Sequence, residues 1–241
     1  MNIINAVVDV GNTFFKIGVF RNGKLSETIH RVAAKEIVTT LEKHNPQKVL
    51  IANVGKERTA LILNLKEKFM LVVFDYQTKI PIQNLYKTPQ TLGVDRLAAV
   101  IGANCLYPQK GNLIIDMGTC ITYDFITKEK EYFGGSISLG VQMRFRALNE
   151  FTANLPKLNN IKSAALIGTN TENSIKSGVI NGTIAEIEGI ISRYRQEFGD
   201  FNVILCGGDA ILFESFINES IFALPNLVLH GLNAILENDK K

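Results

Sequence analysis

The stretch Leu113-Ile114-Ile115-Asp116-Met117-Gly118-Thr119-Cys120-Ile121-Thr122-Tyr123-Asp124 decides the predicted fold. An apolar run that ends in an acid, a glycine and a hydroxyl residue is typical of a buried strand, a tight turn and a second strand. The N-terminal stretch Ala6-Val7-Val8-Asp9-Val10-Gly11-Asn12-Thr13 repeats the pattern, and the apolar-rich run from Phe14 to Phe20 follows it. Two such turns predict a duplicated domain whose hairpins face each other and hold a polyphosphate with its cation.

The length and composition limit the class of protein. With 241 residues, of which 46% are hydrophobic, the chain can form one large domain or two small ones with packed cores. The net charge is +3 and acids and bases are mixed along the sequence, which gives no footprint for nucleic acid or an anionic membrane. No basic leader or bilayer-length apolar run is present in the sequence. We therefore expect a cytoplasmic protein that binds neither nucleic acid nor a membrane.

The cysteines and histidines indicate what kind of metal the protein can hold. The three cysteines are far apart in apolar contexts, and the three histidines are isolated: Cys105, Cys120, Cys206, His30, His44 and His230. This spacing favours buried free thiols over a disulfide framework or a thiolate site. A metal would need oxygen ligands instead, which indicates a hard cation such as Mg²⁺ or K⁺.

The N-terminal half reads as three strands followed by alternating helices and strands. The first predicted strand ends at Asp9, and the others are Phe14–Phe20, Leu25–Ile29, Lys48–Asn53 and Met70–Phe74. The predicted helices are Ala33–His44 and Glu57–Lys68. The pair Asn22-Gly23 predicts a two-residue hairpin turn. This order of elements predicts an α/β domain of the ribonuclease-H-like type. Neither a Gly-x-Gly-x-x-Gly motif nor a Walker lysine motif is present in the sequence.

The C-terminal half repeats the order after residues 75–92, which we predict to be a loop, and after a helix that starts at Gly93–Arg96. The predicted strands are Leu113–Asp116, Ile121–Thr127, Glu131–Phe133 and Asn202–Cys206, and Gly134-Gly135 is predicted to form a turn. Four helices are predicted: the first begins at Leu139 or Gly140, the second ends at about Phe198, the third follows Gly208 and the fourth covers Leu227–Leu236. We therefore predict two ribonuclease-H-like (actin-like ATPase) domains, residues 1–106 and 107–241. Each is expected to be a mixed sheet with three antiparallel strands and flanking helices.

The first turn has the residue types that a phosphate requires. A glycine lets the backbone approach the anion, and Lys16 on the following strand adds a countercharge. A plain hairpin turn is the favoured explanation of Asp9 and Gly11 if this turn is considered alone. The repeat at Asp116, Gly118 and Thr119 favours the functional interpretation, in which two acids share a hydrated cation that bridges the phosphates of ATP.

Other polar residues have both a structural and a functional interpretation. Asp95 near a helix start can cap the helix, or it can accept a hydroxyl proton during phosphoryl transfer while Arg96 binds a substrate carboxylate. Gly207-Gly208 suits packing of adenine or ribose, and an ordinary strand-to-helix turn explains it equally well. Tyr86 and Thr171 can bind substrate, but the residues alone favour surface placement and N-capping.

Together these motifs resemble the type III pantothenate kinases, which belong to the acetate and sugar kinase, Hsp70 and actin superfamily. The resemblance covers nearly the whole chain and rests on Asp9–Thr13 with Lys16, Tyr86–Arg96, Asp116–Thr119, Gly134–Ile137, Thr152–Pro156, Ile167–Gly178 and Cys206–Gly208. The Asp9 and Asp116 motifs are shared across the superfamily. The Tyr86–Arg96 and Thr152–Pro156 segments are much more specific.

The resemblance implies transfer of the γ-phosphate of ATP to pantothenate, giving 4′-phosphopantothenate in the first step of coenzyme A biosynthesis. It implies that ATP is held by Asp9, Val10, Gly11, Asn12, Thr13, Phe14, Phe15, Lys16 and Thr119. It implies that pantothenate contacts Tyr86, Gly93, Val94, Asp95, Arg96 and Thr171, with Asp95 as the proton acceptor. Mg²⁺ and a monovalent cation (K⁺ or NH₄⁺) are expected, the latter on Asp116. A homodimer is also implied, and the glycine-bearing helix from Thr171 is the candidate interface.

Three positions depart from the family pattern. Cys120 replaces an alanine, Leu139 stands in a segment that lacks the usual proline, and Cys206 stands where threonine is frequent. None of these changes removes a charged or hydroxyl group that has a role above, so they bear on nucleotide affinity more than on reaction type. The alternative function is a non-catalytic nucleotide-binding regulator on the same fold, and a third is a kinase for another small hydroxy compound. The three retained acids favour the kinase.

Overall fold

The computed structural model describes residues 3–11, 15–52, 59–159 and 164–239. The strands in these residues are β1 (Ile4–Val10), β2 (Phe15–Arg21), β3 (Lys24–Val32), β4 (Lys48–Ala52), β5 (Met70–Val73), β6 (Gln83–Asn84), β7 (Gly111–Met117), β8 (Cys120–Ile126), β9 (Glu131–Leu139), β10 (Phe201–Cys206) and β11 (Ile221–Ala223). The α-helices are α1 (Ile37–His44), α2 (Thr59–Lys68), α3 (Val94–Leu106), α4 (Val141–Glu150), α5 (Thr171–Phe198), α6 (Ala210–Glu214) and α7 (Leu227–Asn238).

The chain forms two compact units. Unit one comprises Met1–Pro108, Lys128–Phe133 and Asn226–Lys241, and unit two comprises Gln109–Thr127 and Gly134–Pro225. The domain division at residues 106 and 107 stays a prediction. The second compact unit begins at Gln109, close to the predicted division. The C-terminal helix α7 belongs to the first unit, together with the N-terminal part of the chain.

Unit one contains a five-stranded mixed sheet in the order β3-β2-β1-β4-β5. Strands β1, β2 and β3 pair antiparallel, and β1, β4 and β5 pair parallel. The β2–β3 hairpin turns at Asn22 and Gly23, whose positive φ values of 49° and 76° are those that an Asn-Gly turn provides. Strand β4 is buried over Val49–Ala52, which explains why its sequence is continuously apolar rather than alternating.

Helices α3 and α7 pack closely against each other within unit one. A Cβ atom on Gly231 would lie 1.8 Å from the carbonyl oxygen of Ala98, and one on Gly102 would lie 2.4 Å from that of Leu227. Only glycine permits this approach of the two backbones. The contact with α7 therefore holds α3 at Ala98 and Gly102, beginning about one turn after the first residue of the helix.

The second sheet has six strands, of which β9-β8-β7-β10-β11 follow the same order as the sheet of unit one, and the sixth, β6, pairs with the start of β9. Strand β7 pairs antiparallel with β8 and parallel with β10, which pairs parallel with β11. The core of unit two includes Ile115, Tyr123, Phe145 and Ile187, all buried. The predicted α/β class with mixed sheets is therefore confirmed.

Several local predictions were wrong. Gly134-Gly135 lies inside β9 and does not form a turn. A glycine is needed at position 135 because a Cβ there would lie 1.6 Å from the carbonyl oxygen of Tyr123. The segment 75–92 is not wholly a loop, since β6 pairs there with Glu131 and Tyr132 and a short 3₁₀ helix covers Pro89–Thr91. Strand β11 was missed because it has only three residues.

Two further sequence predictions concern the thiols and the membrane. Cys206 is buried as predicted and Cys120 is half-buried, but Cys105 is exposed because it lies in the last turn of α3, beyond the buried part of that helix. Among the helices of the described residues, none has the length and apolar character that crossing a membrane requires.

Candidate active site

The first Asp-x-Gly turn lies at the end of β1 in unit one. Asp9 is in register with Lys16 on the antiparallel strand β2, and both side chains are half-buried. Directly opposed residues on one sheet face have Cβ atoms about 5 Å apart, so an acid and a base face each other here. Val10 and Phe15 are buried in the core, and Gly11 is exposed.

Part of the predicted ATP set lies outside the described residues, namely Asn12, Thr13 and Phe14. Of the remainder, the structure gives Asp9 and Lys16 as the charged pair at the turn. The side chains of Val10 and Phe15 belong to the hydrophobic core of unit one. Any contact that these two residues make with a nucleotide therefore has to come from the backbone.

The second turn lies at the end of β7 in unit two. Asp116 is half-buried, and Gly118 and Thr119 are exposed, with the Gly118 N–H donating to the carbonyl oxygen of Cys120 at 3.1 Å. A Cβ on Gly207 would lie 2.4 Å from Asp116 Oδ1, and Gly207 has a φ of +88°. Both the space and the backbone conformation at this position require glycine.

A cavity of about 460 Å³ opens beside this second turn, which is within the size range of small-molecule sites. Its walls come from the turn, from α4 and from the segment after β10, and the lining residues are Met117, Gly118, Thr119, Gln142, Met143, Arg146, Gly208 and Asp209. Thr119 is the predicted nucleotide residue that lines it. Gln142, Met143, Arg146 and Asp209 were not predicted as site residues, although the Gly207-Gly208 pair gave a signal for the segment that contains Asp209.

Asp209 is the acid in the cavity wall. Its backbone N–H donates to the carbonyl oxygen of Met117 at 3.1 Å, which ties the segment after β10 to the turn. Burial raises the pKa of the Asp209 carboxyl above its ordinary value. The carboxylate is therefore more costly to ionise here than in water.

Helix α4 begins in direct contact with the second turn. A Cβ on Gly140, which precedes the helix, would lie 2.1 Å from the carbonyl oxygen of Thr119 and 2.6 Å from that of Gly118. Because no side chain fits there, the helix N-terminus and the turn are held at backbone contact. The position of α4 therefore affects the shape of both the turn and the cavity.

The predicted substrate residues of unit one gather at the start of α3. Asp95 is exposed, and its Oδ1 accepts a hydrogen bond from the backbone N–H of Arg96 at 2.8 Å. The Arg96 side chain is only 8% exposed, and its guanidinium lies 6.0 Å from the centre of the Tyr86 ring. Gly93 precedes the helix, and a Cβ there would lie 2.5 Å from Asp95 Oδ1. Tyr86 and the Gly93–Arg96 segment therefore form one local cluster, in which Asp95 also stabilises the helix start.

Thr171 is the exposed first residue of α5, in unit two. The helix is capped by Asn170, whose side chain accepts a hydrogen bond from the N–H of Asn173 at 2.9 Å. The interpretation of Thr171 as the N-cap was therefore wrong, because the preceding asparagine takes that role. The hydroxyl of Thr171 lies at the exposed end of the helix.

Each unit thus brings together its own part of the predicted site. Unit one places the charged pair of the first turn and the cluster at the start of α3. Unit two places Asp116 and Thr119 beside the cavity. Among the described residues, no group of three or more His, Cys, Asp or Glu side chains is arranged to hold a metal ion. A cation at Asp116 would therefore need oxygen atoms from the backbone or from a ligand.

Solved structures with the same fold define the class of protein. A conserved Baf family transcriptional activator (so assigned) from Campylobacter jejuni has a TM-score of 0.65 at 19% identity, covering 97% of this chain and 98% of its own. A protein assigned as an N-acetylmannosamine kinase from Listeria monocytogenes has a TM-score of 0.56 at 13% identity, covering 99% and 100%. A ROK family protein from Streptococcus pneumoniae, in complex with sucrose, has a TM-score of 0.52 at 11% identity, covering 99% and 100%. The fold is thus the α/β fold of ROK and sugar kinase proteins.

Sequence relatives define the family. A type III pantothenate kinase from Christiangramia forsetii is 43% identical over 98% of this chain and 99% of its own length. One from Cytophaga hutchinsonii is 42% identical over 97% and 98%, and one from Flavobacterium johnsoniae is 38% identical over 94% and 94%. The sequence pattern of type III pantothenate kinases matches residues 6–193. This chain belongs to the type III pantothenate kinase family, which confirms the resemblance seen in the sequence.

Proposed function

We propose that this chain transfers the γ-phosphate of ATP to the hydroxyl of pantothenate, giving 4′-phosphopantothenate in the first step of coenzyme A biosynthesis. The observation that carries the proposal is family membership over nearly the whole chain, combined with the Tyr86 and Gly93–Arg96 cluster at the start of α3. The duplicated ribonuclease-H-like (actin-like ATPase) architecture and a cytoplasmic location are parts of the same proposal.

In this proposal Asp95 is the general base. Its Oδ1 is held by the backbone N–H of Arg96 at 2.8 Å, so the carboxylate has a fixed orientation, and we assign proton acceptance to Oδ2. The carboxylate takes the proton of the substrate hydroxyl while the hydroxyl oxygen attacks the γ-phosphorus and ADP leaves. Exposure of Asp95 allows a substrate to reach it without displacing core residues.

Arg96 is assigned to the carboxylate of pantothenate. A guanidinium can bind a carboxylate with two parallel hydrogen bonds, and in this cluster its central carbon lies over the ring of Tyr86, 6.0 Å from the ring centre. The Arg96 side chain is largely buried, so it loses little freedom on binding. Gly93 and Val94 would contact the substrate through the backbone, and Thr171 through its exposed hydroxyl.

ATP is assigned to the two Asp-x-Gly turns. Lys16 supports a phosphate role because it supplies positive charge beside the first turn, and Thr119 because it is exposed in the wall of the cavity. Asn12 and Thr13 share the assignment on the basis of the sequence alone. The small side chains of such turns suit close approach of an anion to the backbone.

The residues present fit the two cations that the family implies. Mg²⁺ would neutralise charge on the ATP phosphates when bound. A monovalent cation, K⁺ or NH₄⁺, is assigned to Asp116, because its carboxylate Oδ1 and the carbonyl oxygen of Met117 lie on the same side of the turn, 2.4 and 2.6 Å from the position of a Gly207 Cβ. Oxygen donors of this kind are the ligands that hard cations prefer.

A homodimer through α5 is also proposed. One face of α5 carries Gly178, Gly182 and Gly189, and a Cβ on any of them would meet nothing within 4 Å. The neighbouring Leu166 and Ile167 are 82% and 78% exposed. A second copy of the chain would cover this open apolar surface. Sedimentation velocity on the wild type and on Leu166→Asp tests the proposal, and a wild type that sediments as a monomer would contradict it.

The experiment that tests the function is a coupled ATP assay with pantothenate, Mg²⁺ and K⁺. We expect turnover in the wild type and a fall of about 10²- to 10⁴-fold in kcat for Asp95→Asn. Asparagine has the size of aspartate and its Oδ1 can still accept from the Arg96 N–H, so this variant should keep its stability. Background turnover in the wild type would overturn the kinase assignment, and undiminished turnover in Asp95→Asn would overturn the assignment of the base. ATP binding without turnover of any hydroxyl substrate would favour a regulatory protein.

A further inference from the structure

A partly buried polar network in unit two joins four elements at the side chain of Glu186. Tyr123 Oη, from β8, donates to Glu186 Oε1 at 2.8 Å. The guanidinium of Arg144, from α4, forms an ion pair with Glu186 Oε2, which α5 carries. Arg144 also donates to Ser138 Oγ at 3.1 Å and to the carbonyl oxygen of Leu139 at 2.9 Å, both on β9. The network therefore fastens α4 to its neighbours through one arginine.

The charges in this network are matched to their surroundings. Burial raises the pKa of Glu186, but hydrogen bonds from Arg144, Tyr123 and Ser138 outweigh it, so the pKa lies below its usual value. Burial and the bond to Glu186 raise the pKa of Tyr123, which therefore stays a neutral donor. Partly buried ion pairs add little net stability on average, because the desolvation cost offsets the attraction. Such a network is better explained by the geometry that it fixes.

The element that the network fixes is the wall of the cavity. Gln142, Met143 and Arg146 of α4 line the cavity, while Arg144 bonds to β9 and α5. At the beginning of the helix, Gly140 is in backbone contact with Thr119 of the second turn. Helix α4 is therefore held between the turn on one side and the Arg144 bonds on the other.

We propose that Glu186 is a positioning residue for the nucleotide: by holding Arg144, it keeps α4 in the position that shapes the cavity and the Thr119 turn. Glu186 does not line the cavity, so it acts through α4 and not by contact with ATP. The inference rests on the proposed function in that it takes the cavity as the nucleotide site. It predicts an effect on ATP binding that is separable from pantothenate binding.

The test compares three variants with the wild type. Glu186→Gln removes the charge with little change in shape, Arg144→Met removes the partner, and Tyr123→Phe removes one donor. We expect the KM for ATP to rise roughly tenfold in the first two variants and about threefold in the third, with the KM for pantothenate unchanged. Amide hydrogen exchange in α4 should become faster in the same order. The double variant Glu186→Gln/Arg144→Met should resemble either single variant, because both break the same link.

Asp200→Asn serves as the matched control. It breaks the ion pair of Asp200 with Lys110. Asp200 lies in the same unit, immediately before β10, whereas the segment that lines the cavity follows β10. This control should keep the wild-type KM for ATP and the wild-type exchange in α4. A network that is merely structural would lower the urea midpoint without separating the two KM values.

The inference is overturned if Glu186→Gln keeps the wild-type KM for ATP, or if both KM values rise together. If Glu186→Gln and Arg144→Met do not fold, the milder Tyr123→Phe decides the question by the same criterion. Equilibrium dialysis with ATP measures the dissociation constant without turnover. A wild type that binds ATP but does not phosphorylate pantothenate would sink the proposed function, while the dialysis comparison would still test the role of Glu186.

Discussion

The two Asp-x-Gly turns occupy the same place in two sheets of the same strand order, but different side chains face their acids. Asp9 is in register with Lys16, whereas Asp116 is in register with Thr122. The first turn therefore places an acid opposite a lysine, and the second places an acid opposite a hydroxyl. A positive charge beside Asp9 favours a phosphate and disfavours a bound cation, while Asp116 has no such lysine in register on either neighbouring strand. One motif thus gives two chemically different sites.

The second turn is enclosed by close backbone contacts. The second turn is in backbone contact with Gly140, and the space beside Asp116 is closed by Gly207. Glycines thus let three segments meet at backbone distance around the second turn, which holds Asp116 in place.

The largest expected effect is on the packing of the second turn. Gly207→Ala should lower the free energy of unfolding by about 2 to 5 kcal/mol, because it combines a left-handed backbone with a Cβ that meets Asp116 Oδ1. Gly208→Ala is the matched control, since a Cβ there meets nothing within 4 Å, and it should change stability by less than about 0.5 kcal/mol. Urea unfolding measures both. Equal losses in the two variants would show that the enclosure of this turn does not matter.

The next effect separates the roles of the two acids. Asp116→Asn removes the carboxylate assigned to the cation, and Asp9→Asn removes the acid opposite Lys16, so each should lower kcat/KM for ATP about a hundredfold. Their response to K⁺ should differ. Asp116→Asn should need a much higher K⁺ concentration for half-maximal rate, and Asp9→Asn should need the wild-type concentration. Identical shifts in a K⁺ titration of the rate would contradict the division of roles.

A smaller effect concerns the lysine of the first turn. Lys16→Met keeps most of the side-chain volume but removes the charge, so the KM for ATP should rise about tenfold with a smaller change in kcat. The dependence of KM on salt should also weaken. Lys24→Met, at the exposed start of β3, is the control and should leave both quantities unchanged. Steady-state kinetics at two ionic strengths measures this, and a KM unaffected by Lys16→Met would remove the phosphate role of the first turn.

The sequence predicted the elements whose signals are local. Both strand–turn–strand units, the Asn22-Gly23 hairpin and the helix that starts near Asp95 follow from apolar periodicity and turn residues within a few positions. The family was predicted from the Tyr86–Arg96 segment, because that spacing of a tyrosine, a proline and Gly-x-Asp-Arg is specific. These signals need no knowledge of which segments meet in space.

The parts that the sequence missed depend on tertiary contacts. Gly134-Gly135 has the composition of a turn, but its glycines let β9 pass close to the backbone of β8. Arg146 and Asp209 line the cavity only because α4 and the segment after β10 converge on the second turn. Neither has a local pattern that distinguishes it from a surface charge. The role of Arg144 in the Glu186 network was missed for the same reason.

The smallest expected effect concerns Asp209, which lines the cavity beside the second turn. The pKa of Asp209 is raised by burial above its ordinary value of 3.8. Below pH 3.8 the carboxyl is protonated in both the folded and the unfolded chain and contributes nothing. Between pH 3.8 and the raised pKa, the Asp209 carboxyl ionises more fully in the unfolded chain than in the folded chain, so stability falls as the pH rises. Above the raised pKa the loss of stability stays constant. Asp209→Asn should therefore unfold at a higher urea concentration than the wild type at pH 7 and converge with it as the pH falls.

Asp200→Asn is the control of opposite sign for this measurement. A hydrogen bond from Lys110, together with its charge, lowers the pKa of Asp200, so this ionised carboxylate stabilises the folded chain above pH 3.8, and the stabilisation is lost as the pH falls through the lowered pKa. Asp200→Asn should thus lower the urea midpoint at pH 7, where Asp209→Asn raises it. Because Asp200 is exposed, its effect will be reduced by solvent and salt. If Asp209→Asn lowers the midpoint at pH 7, the carboxylate must have a positive partner in the folded protein, and the second turn would then, like the first with Lys16, have a positive charge beside an acid.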